Sequence, residues 1–148
     1  MTTAPEKEEQ LRRLIYELQL MQGSAEVLQQ RMDLLQTALT DLRLAESSLK
    51  SLKELDEGIP ILVPTGGNTF INAKMGDLRK VIVGVGADVS IEMDIDTALE
   101  DTSSRLADVE KASNSVQQQL EQLLNRIQVH RGGINRLSVE LREVSIGV

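Results

Sequence analysis

Apolar residues recur along the first third of the chain at alternating intervals of three and four positions. The repeat begins at Leu11 and ends at Leu42, and all ten of its positions are apolar. This spacing is the a/d pattern of a left-handed coiled coil, so it predicts one long helix with a single apolar seam. The predicted seam comprises Leu11, Leu14, Leu18, Met21, Ala25, Leu28, Met32, Leu35, Leu39 and Leu42.

The seam of this first arm changes phase before the arm ends. Strict continuation would place the charged residues Glu46 and Lys53 in the seam. We therefore expect the stripe to shift to Ala45, Leu49 and Leu52 and the local winding to change.

A second heptad pattern fills the last third of the chain. Twelve of its fifteen seam positions are apolar. They are Ile95, Leu99, Thr102, Leu106, Val109, Ser113, Val116, Leu120, Leu123, Ile127, His130, Ile134, Leu137, Leu141 and Val144. Each arm has about fifty residues, which at ~1.5 Å per residue gives a helix of roughly 75 Å. Because the arms have equal lengths, we expect them to pair antiparallel, with both termini together at a distant tip.

The ends of both arms carry helix-boundary signals. Thr3 or Thr2 ahead of Pro5 is the expected start of the first helix, and Gly58 is its expected C-cap. Asp94 is the expected N-cap of the second helix.

Between the arms, residues 58–93 lack helical periodicity. Four short β-rich runs separated by Gly, Asn and Asp predict two hairpins. The runs are Ile59 to Val63, Thr69 to Ala73, Lys80 to Gly84 and Asp88 to Met93. In the last run Val89, Ile91 and Met93 alternate with polar residues, as in a half-buried antiparallel strand.

Two small hairpins bury too little apolar surface to be stable alone, and their unpaired edges are templates for other strands. We therefore expect this segment to be an oligomerisation core. The predicted class is α+β: two long helices forming an antiparallel coiled coil, joined by two β-hairpins that oligomerise into a β-barrel platform. The predicted domains are an N-terminal helix at 1–57, the hairpins at 58–93 and a C-terminal helix at 94–148.

Composition restricts the partners of the chain. The net charge of -7 and pI near 4.8 oppose nonspecific binding to nucleic acid or anionic lipid, which both need clustered Lys and Arg. The absence of Cys excludes disulfides and thiolate chemistry. The start resembles no signal peptide, and no apolar run is long enough to span a bilayer. We expect a cytoplasmic protein without nucleic-acid or membrane partners.

No residue pattern favours catalysis, a metal or another cofactor. His130 is the only histidine and falls in the seam, so we interpret it as a packed or register-setting polar group. The stretch Gly84-Val85-Gly86 lacks the third glycine and the following helix of a dinucleotide loop. Likewise Thr65-Gly66-Gly67-Asn68 lacks the Lys of a phosphate loop. Both stretches are interpreted as hairpin turns.

Gly132 and Gly133 lie inside the second helix pattern, where each glycine costs ~1 kcal/mol relative to Ala. Two interpretations remain open. The pair is either a tolerated weak point or kink, or a hinge that lets the tip splay.

The chain as a whole resembles the α-type subunits of the prefoldin family, of archaeal type. The resemblance covers nearly the whole chain and is most specific in the two hairpins between the arms, because β-type subunits have one. Matching positions in the hairpin region are Gly67, Phe70, Ala73, Val81, Val83, Gly84, Gly86, Val89 and Glu92. The Gly132-Gly133 pair is a departure from the family pattern.

The resemblance implies an ATP-independent chaperone subunit within a hexamer of two α-type and four β-type subunits. The α-type chains would form a dimer at the centre of a double β-barrel platform. The coiled-coil tips would hold non-native proteins and deliver them to a group II chaperonin.

The implied function assigns roles to two sets of residues. The tip set, expected to be apolar yet unpaired, comprises Leu11, Leu14, Ile15, Leu137, Leu141, Val144, Ile146 and Val148. The hairpin set, expected to mediate oligomerisation, comprises Phe70, Val81, Val83, Val89, Ile91 and Met93.

Two other binding functions compete with this interpretation. One is a structural coiled-coil scaffold or tether, whose tips would be inert. The apolar tail from Val144 to Val148 argues against it, because an inert tip would be expected to end in polar residues. The other, a periplasmic jellyfish-shaped holdase, disagrees with the absence of a signal peptide and with the acidic charge.

Overall fold

The computed structural model describes residues 3–147, which form two long helices with two β-hairpins between them. The predicted α+β class is confirmed. The elements in order are α1 (Ala4–Lys53), β1 (Pro60–Gly66), β2 (Thr69–Lys74), β3 (Lys80–Gly86), β4 (Val89–Asp94) and α2 (Ile95–Ile146). The chain separates into two compact units, residues 1–36 with 111–148 and residues 37–110. The division into domains at 57 and 93 stays a prediction.

In the first unit, the start of α1 packs antiparallel to the end of α2. Lys7 Nζ lies 3.3 Å from Glu140 Oε2, whereas Ser113 Oγ donates to Met32 Sδ at 3.6 Å further along both helices. The seam positions of both helices in this unit are buried or half-buried, except Val144. The predicted pairing of the two chain ends is therefore confirmed, and Val144 is excluded from the seam.

In the second unit, the end of α1 packs antiparallel to the start of α2. Arg43 Nη2 lies 3.5 Å from Glu110 Oε1, and Lys53 forms an ion pair with Asp96 at the other end. Ala98 is fully buried between the helices. Within each of the two units, α1 and α2 therefore pack against each other in antiparallel orientation.

The predicted phase change of α1 lies in this second unit. Ala45, Leu49 and Leu52 are all half-buried, as the shifted seam requires. Glu46 is half-buried beside them and accepts hydrogen bonds from Ser103 Oγ at 2.9 Å and Lys50 Nζ at 3.3 Å. These two hydrogen bonds, of which the one from Ser103 has the larger effect, lower the pKa of Glu46 below its ordinary value. A carboxylate at the edge of the seam is tolerated because both helices supply its donors.

The helix boundaries agree with the sequence at the start of α1 and differ at its end. Thr3 N–H donates to Glu6 Oε2 at 3.1 Å, and Glu6 N–H donates to Thr3 Oγ1 at 3.4 Å, which forms a capping box. The prediction that Gly58 is the C-cap is wrong. The helix already ends at Lys53, because the last turn tightens through an i to i+3 bond from Leu55 N–H to Leu52 O. Gly58, with φ of 86°, instead leads into the first hairpin.

The two hairpins are separate two-stranded antiparallel sheets, β1 with β2 and β3 with β4. Each has a register irregularity just before its turn, at Pro64/Gly66 and at Gly84/Gly86. The turns are Gly67-Asn68 and Ala87-Asp88, whose residues all have φ between 51° and 61°. The interpretation of Gly84-Val85-Gly86 as the turn itself is therefore wrong, since these residues end β3.

The second hairpin repeats the first at an offset of about twenty positions. Met75 N–H donates to Ile59 O at 2.9 Å, and the equivalent bond runs from Ile95 N–H to Arg79 O at 3.1 Å. The cross-strand pairs and both turns obey the same offset. The hairpins are thus two copies of one structural unit.

Candidate interaction surfaces

Part of the tip set is exposed in the first unit, where the start of α1 lies beside the end of α2. Ile146 is 77% exposed and Val144 is 50% exposed, and Ile15 also faces solvent. These three side chains have no seam partner, because they project from the helices away from the α1–α2 contact. Val148 lies outside the described residues.

The rest of the tip set lies in the seam. Leu11, Leu14 and Leu141 are half-buried, and Leu137 is only 8% exposed. The expectation that all these residues are unpaired is wrong for Leu137. Its seam position places the side chain between α1 and α2, so it stabilises the helix pair instead of facing solvent.

The hairpin set is divided between two faces and two sheets. In the second hairpin, Val81 pairs with Met93 and Val83 with Ile91, so these four side chains share one face. Val81, Val83 and Met93 are half-buried, whereas Ile91 and Val89 are exposed. This face is apolar along both strands.

Phe70 belongs to the first hairpin and pairs with Pro64. It is exposed. Because side chains alternate along a strand, Phe70 and its neighbour Ile71 point to opposite faces of that sheet.

A second apolar face on each hairpin was missed at the level of the sequence. Leu62 is 65% exposed and Ile82 is 77% exposed, and both lie on the faces opposite to those of their neighbours Val63 and Val83. The sequence did contain a signal for this second face. Uninterrupted apolar runs are typical of strands covered on both faces, and each hairpin has one, at Ile61-Leu62-Val63 and at Val81-Ile82-Val83. Both faces of each hairpin therefore offer apolar surface for contact.

His130 links the two helices of the first unit at its predicted seam position. Its Nε2 lies 2.8 Å from Glu17 Oε2, and its Nδ1 lies 3.1 Å from the Arg126 carbonyl oxygen. Both neighbours are acceptors, so the ring donates to both only when each nitrogen carries a proton. This arrangement fixes helix register.

Gly133 lies where the two helices approach each other. A Cβ built at Gly133 would lie 3.4 Å from Leu14 Cδ1, whereas one at Gly132 would meet nothing within 4 Å. The helix α2 is continuous through both glycines.

Residues 3–147 contain no group of three or more His, Cys, Asp or Glu residues that could hold a metal ion. No helix among them has a segment that is long and apolar enough to cross a lipid bilayer.

Comparison with known proteins connects this pair of helices and hairpins to one family. Residues 21–140 match the family described as Prefoldin subunit, which is most of the chain. The chain belongs to the prefoldin family. As an α-type prefoldin subunit it is a non-enzymatic chaperone subunit.

Two prefoldin relatives illustrate how much of the chain is shared. The prefoldin subunit alpha of Methanopyrus kandleri is 36% identical over 115 residues, which cover 78% of this chain and 73% of the relative. The prefoldin subunit alpha of Pyrococcus horikoshii is 32% identical over 135 residues, which cover 90% of this chain and 88% of the relative.

Two solved prefoldin structures have a similar fold. The cryo-EM structure of filamentous PFD from Methanocaldococcus jannaschii aligns with a TM-score of 0.63 at 27% identity, covering 75% of this chain and 92% of that one. The prefoldin beta subunit from Thermococcus strain KS-1 aligns with a TM-score of 0.58 at 14% identity, covering 92% and 96%, and shows the fold alone.

Proposed function

We propose that the chain is one of two α-type subunits in a cytoplasmic hexamer with four β-type subunits, joined through the hairpins. The hexamer holds non-native proteins at its coiled-coil ends and delivers them to a group II chaperonin. It needs no nucleotide, metal or other cofactor for holding.

The observation that carries the proposal is that Ile15, Val144 and Ile146 are exposed on the segments of α1 and α2 that pair in the first unit, towards the ends of the chain. We name these three residues the terminal patch. Val144 and Ile146 lie in the last turn of α2, where backbone groups lack intrahelical partners and fray at low cost, so these two side chains adapt to irregular ligands. Each contributes ~1.5–3 kcal/mol when fully buried against an unfolded chain. One patch thus binds weakly, and several patches in one assembly bind with avidity.

The hairpins support the assembly part of the proposal. Their apolar faces are exposed within this chain, and a two-stranded sheet is only marginally stable in water. Strands from neighbouring subunits would pair with the edges of the hairpins, and closure of the larger sheet would cover its inner apolar face. A contact between the two α-type chains would lie at the centre of the platform.

The test is suppression of aggregation of a chemically denatured protein by the complex reconstituted with a β-type subunit. Substituting the terminal patch with serine, as Ile15→Ser, Val144→Ser and Ile146→Ser together, should abolish suppression and leave assembly unchanged. Point substitutions are preferable to truncation, because truncation before Leu137 would remove a buried seam residue.

The matched control replaces three apolar residues of comparable exposure that lie further from the ends of the chain within the first unit: Val27→Ser, Leu34→Ser and Leu124→Ser. This variant should suppress aggregation like the unmodified complex. Full suppression by the terminal-patch variant, in a complex of unchanged sedimentation coefficient, would refute client binding at the tips and favour the scaffold function.

A further inference from the structure

A second line of apolar residues runs along α1 in the first unit, outside the seam that faces α2. Its members are all exposed, and we name them the lateral stripe: Tyr16, Leu20, Val27 and Leu34. Together with the intervening Gly23 and Gln30, they follow an alternation of four and three positions. This is the spacing of a coiled-coil seam, and it extends over roughly 27 Å of helix. The helix α1 therefore has a second face on which another helix can pack.

The middle of the lateral stripe contains a depression in the surface of α1. It is lined in part by Leu20, Gly23, Ser24 and Val27, which stand at positions i, i+3, i+4 and i+7. Four residues at this spacing form the hole that receives one side chain of a partner helix in knobs-into-holes packing. A Cβ built at Gly23 would meet no atom within 4 Å, so the space there is open. The depression can thus receive a large apolar side chain.

The charges beside the lateral stripe are mostly positive. Residues three or four positions away are neighbours on a helix surface, and the charged ones here are Arg12, Arg13, Arg31 and Glu17. The Glu17 carboxylate lies 2.8 Å from His130 Nε2 of α2, so it is held towards the partner helix. Arg12 and Arg13 lie 3.8 Å from Glu8 and Glu17 but stay largely exposed. In a chain of net charge -7, this stripe is therefore bordered by three arginines, which favours an acidic partner.

We propose that the lateral stripe binds an amphipathic helix of another protein, whose apolar seam is flanked by acidic residues. One large apolar side chain of that helix fills the depression, and its acidic flanks lie beside the arginines. A second copy of this chain is disfavoured as the occupant, because two facing stripes would bring the arginines of both copies into one interface. The inference does not rest on the proposed function, since it concerns a helical partner at a site separate from the terminal patch.

Binding of a designed peptide to the full-length chain tests the proposal. The probe is a helical peptide of about three heptads with Leu in its seam, Glu in the flanking positions and no Tyr or Trp. Fluorescence anisotropy of the fluorescein-labelled peptide gives its dissociation constant. The chain has one Tyr and no Trp, so its tyrosine emission should change when the unlabelled peptide covers Tyr16. The same peptide with Lys in place of Glu should bind roughly tenfold more weakly, because several charge pairs are reversed. Equal binding of the two peptides would overturn the proposal.

Gly23→Leu tests the depression without weakening α1. Leu is a better helix former than Gly, and a Cβ at this position meets no atom within 4 Å, so circular dichroism should show no loss of helix. The variant should nevertheless bind the Leu/Glu peptide roughly tenfold more weakly, because the hole is filled. The matched control is Gly132→Leu in α2, where a Cβ also meets nothing within 4 Å. This control should bind the peptide like the unmodified chain, and equal affinities of the two variants would contradict the proposal.

Arg31→Glu tests the charge at a single position. It should weaken binding of the Leu/Glu peptide by about twofold to fivefold, the range of one exposed ion pair, and strengthen binding of the Leu/Lys peptide. An unchanged preference between the two peptides would refute the assignment of an acidic partner.

Competition experiments distinguish the other possible occupants. Vesicles of phosphatidylglycerol should not displace the labelled peptide from the full-length chain, and displacement would assign the stripe to a lipid surface. A chemically denatured protein should not displace it from the complex reconstituted with a β-type subunit, and displacement would make the stripe part of client holding. Either displacement would overturn the proposal. Peptide binding by a complex that fails to suppress aggregation would leave the lateral stripe as a helix-binding site while the proposed function fails.

Discussion

Filling the glycine pair of α2 should stabilise the first unit without impairing client holding. The perturbation is Gly132→Ala, made alone and together with Gly133→Ala. Both residues lie inside a continuous helix, where Ala is favoured over Gly by ~1 kcal/mol, largely because the unfolded chain loses conformational freedom.

The structure sets the expected size of each effect. A Cβ at Gly132 meets no atom within 4 Å, so this substitution should gain the full ~1 kcal/mol. A Cβ at Gly133 lies 3.4 Å from Leu14 Cδ1, an ordinary van der Waals contact with a side chain. The second substitution should therefore gain a similar amount.

The measurement is native-state hydrogen exchange of the α2 amides around the pair. Because 1.4 kcal/mol is a factor of ten, a gain of ~1 kcal/mol should slow local opening by roughly fivefold for Gly132→Ala. Aggregation suppression by the reconstituted complex should be unchanged if the pair is a tolerated weak point. Slower exchange accompanied by loss of suppression would instead identify the pair as a working hinge. Unchanged exchange would refute the structural argument itself.

Three further predictions concern single positions. Ala87→Gly should stabilise the second hairpin by ~1 kcal/mol, because Ala87 has φ of 51° and a non-glycine residue is strained there; slower exchange of the hairpin amides would report it. Leu137→Ala should destabilise the chain by ~2–5 kcal/mol in denaturant unfolding, because Leu137 is buried in the seam, whereas Leu34→Ala at an exposed position should change little. Stability should fall as pH drops through the lowered pKa of Glu46, because its folded carboxylate binds protons less readily than the unfolded one. Ser103→Ala should raise the Glu46 titration midpoint measured by NMR and weaken this acid dependence.

The seam and the hairpins were predictable because both depend on local patterns. An unbroken alternation of three and four positions places the residues from Leu14 to Leu42 on one face of a helix, and only that face can be the buried one. Every seam residue of α1 is indeed buried or half-buried. The seam prediction failed at Val144. This residue continues the spacing of three and four positions but is exposed, because the spacing cannot show that the contact between α1 and α2 ends before it.

The candidate surfaces were less predictable for a different reason. The heptad spacing places Leu137 in the seam and Ile146 outside it, and the observed exposures follow that spacing. The assignment of Leu137 to the tip set failed because it relied on the residue's closeness to the end of the chain and not on the helix face.

The repetition of the hairpin bears on how subunits of this family diversify. Since Lys80 to Ile95 occupy the same pattern of pairs and bonds as Pro60 to Met75, joining Ile59 to Lys80 would remove one hairpin and leave the other with its bond from Ile95 N–H to the residue before β3. Tandem duplication of one hairpin segment is therefore sufficient to change the number of strands that a subunit contributes. Strand number and helix length can evolve independently in such a chain.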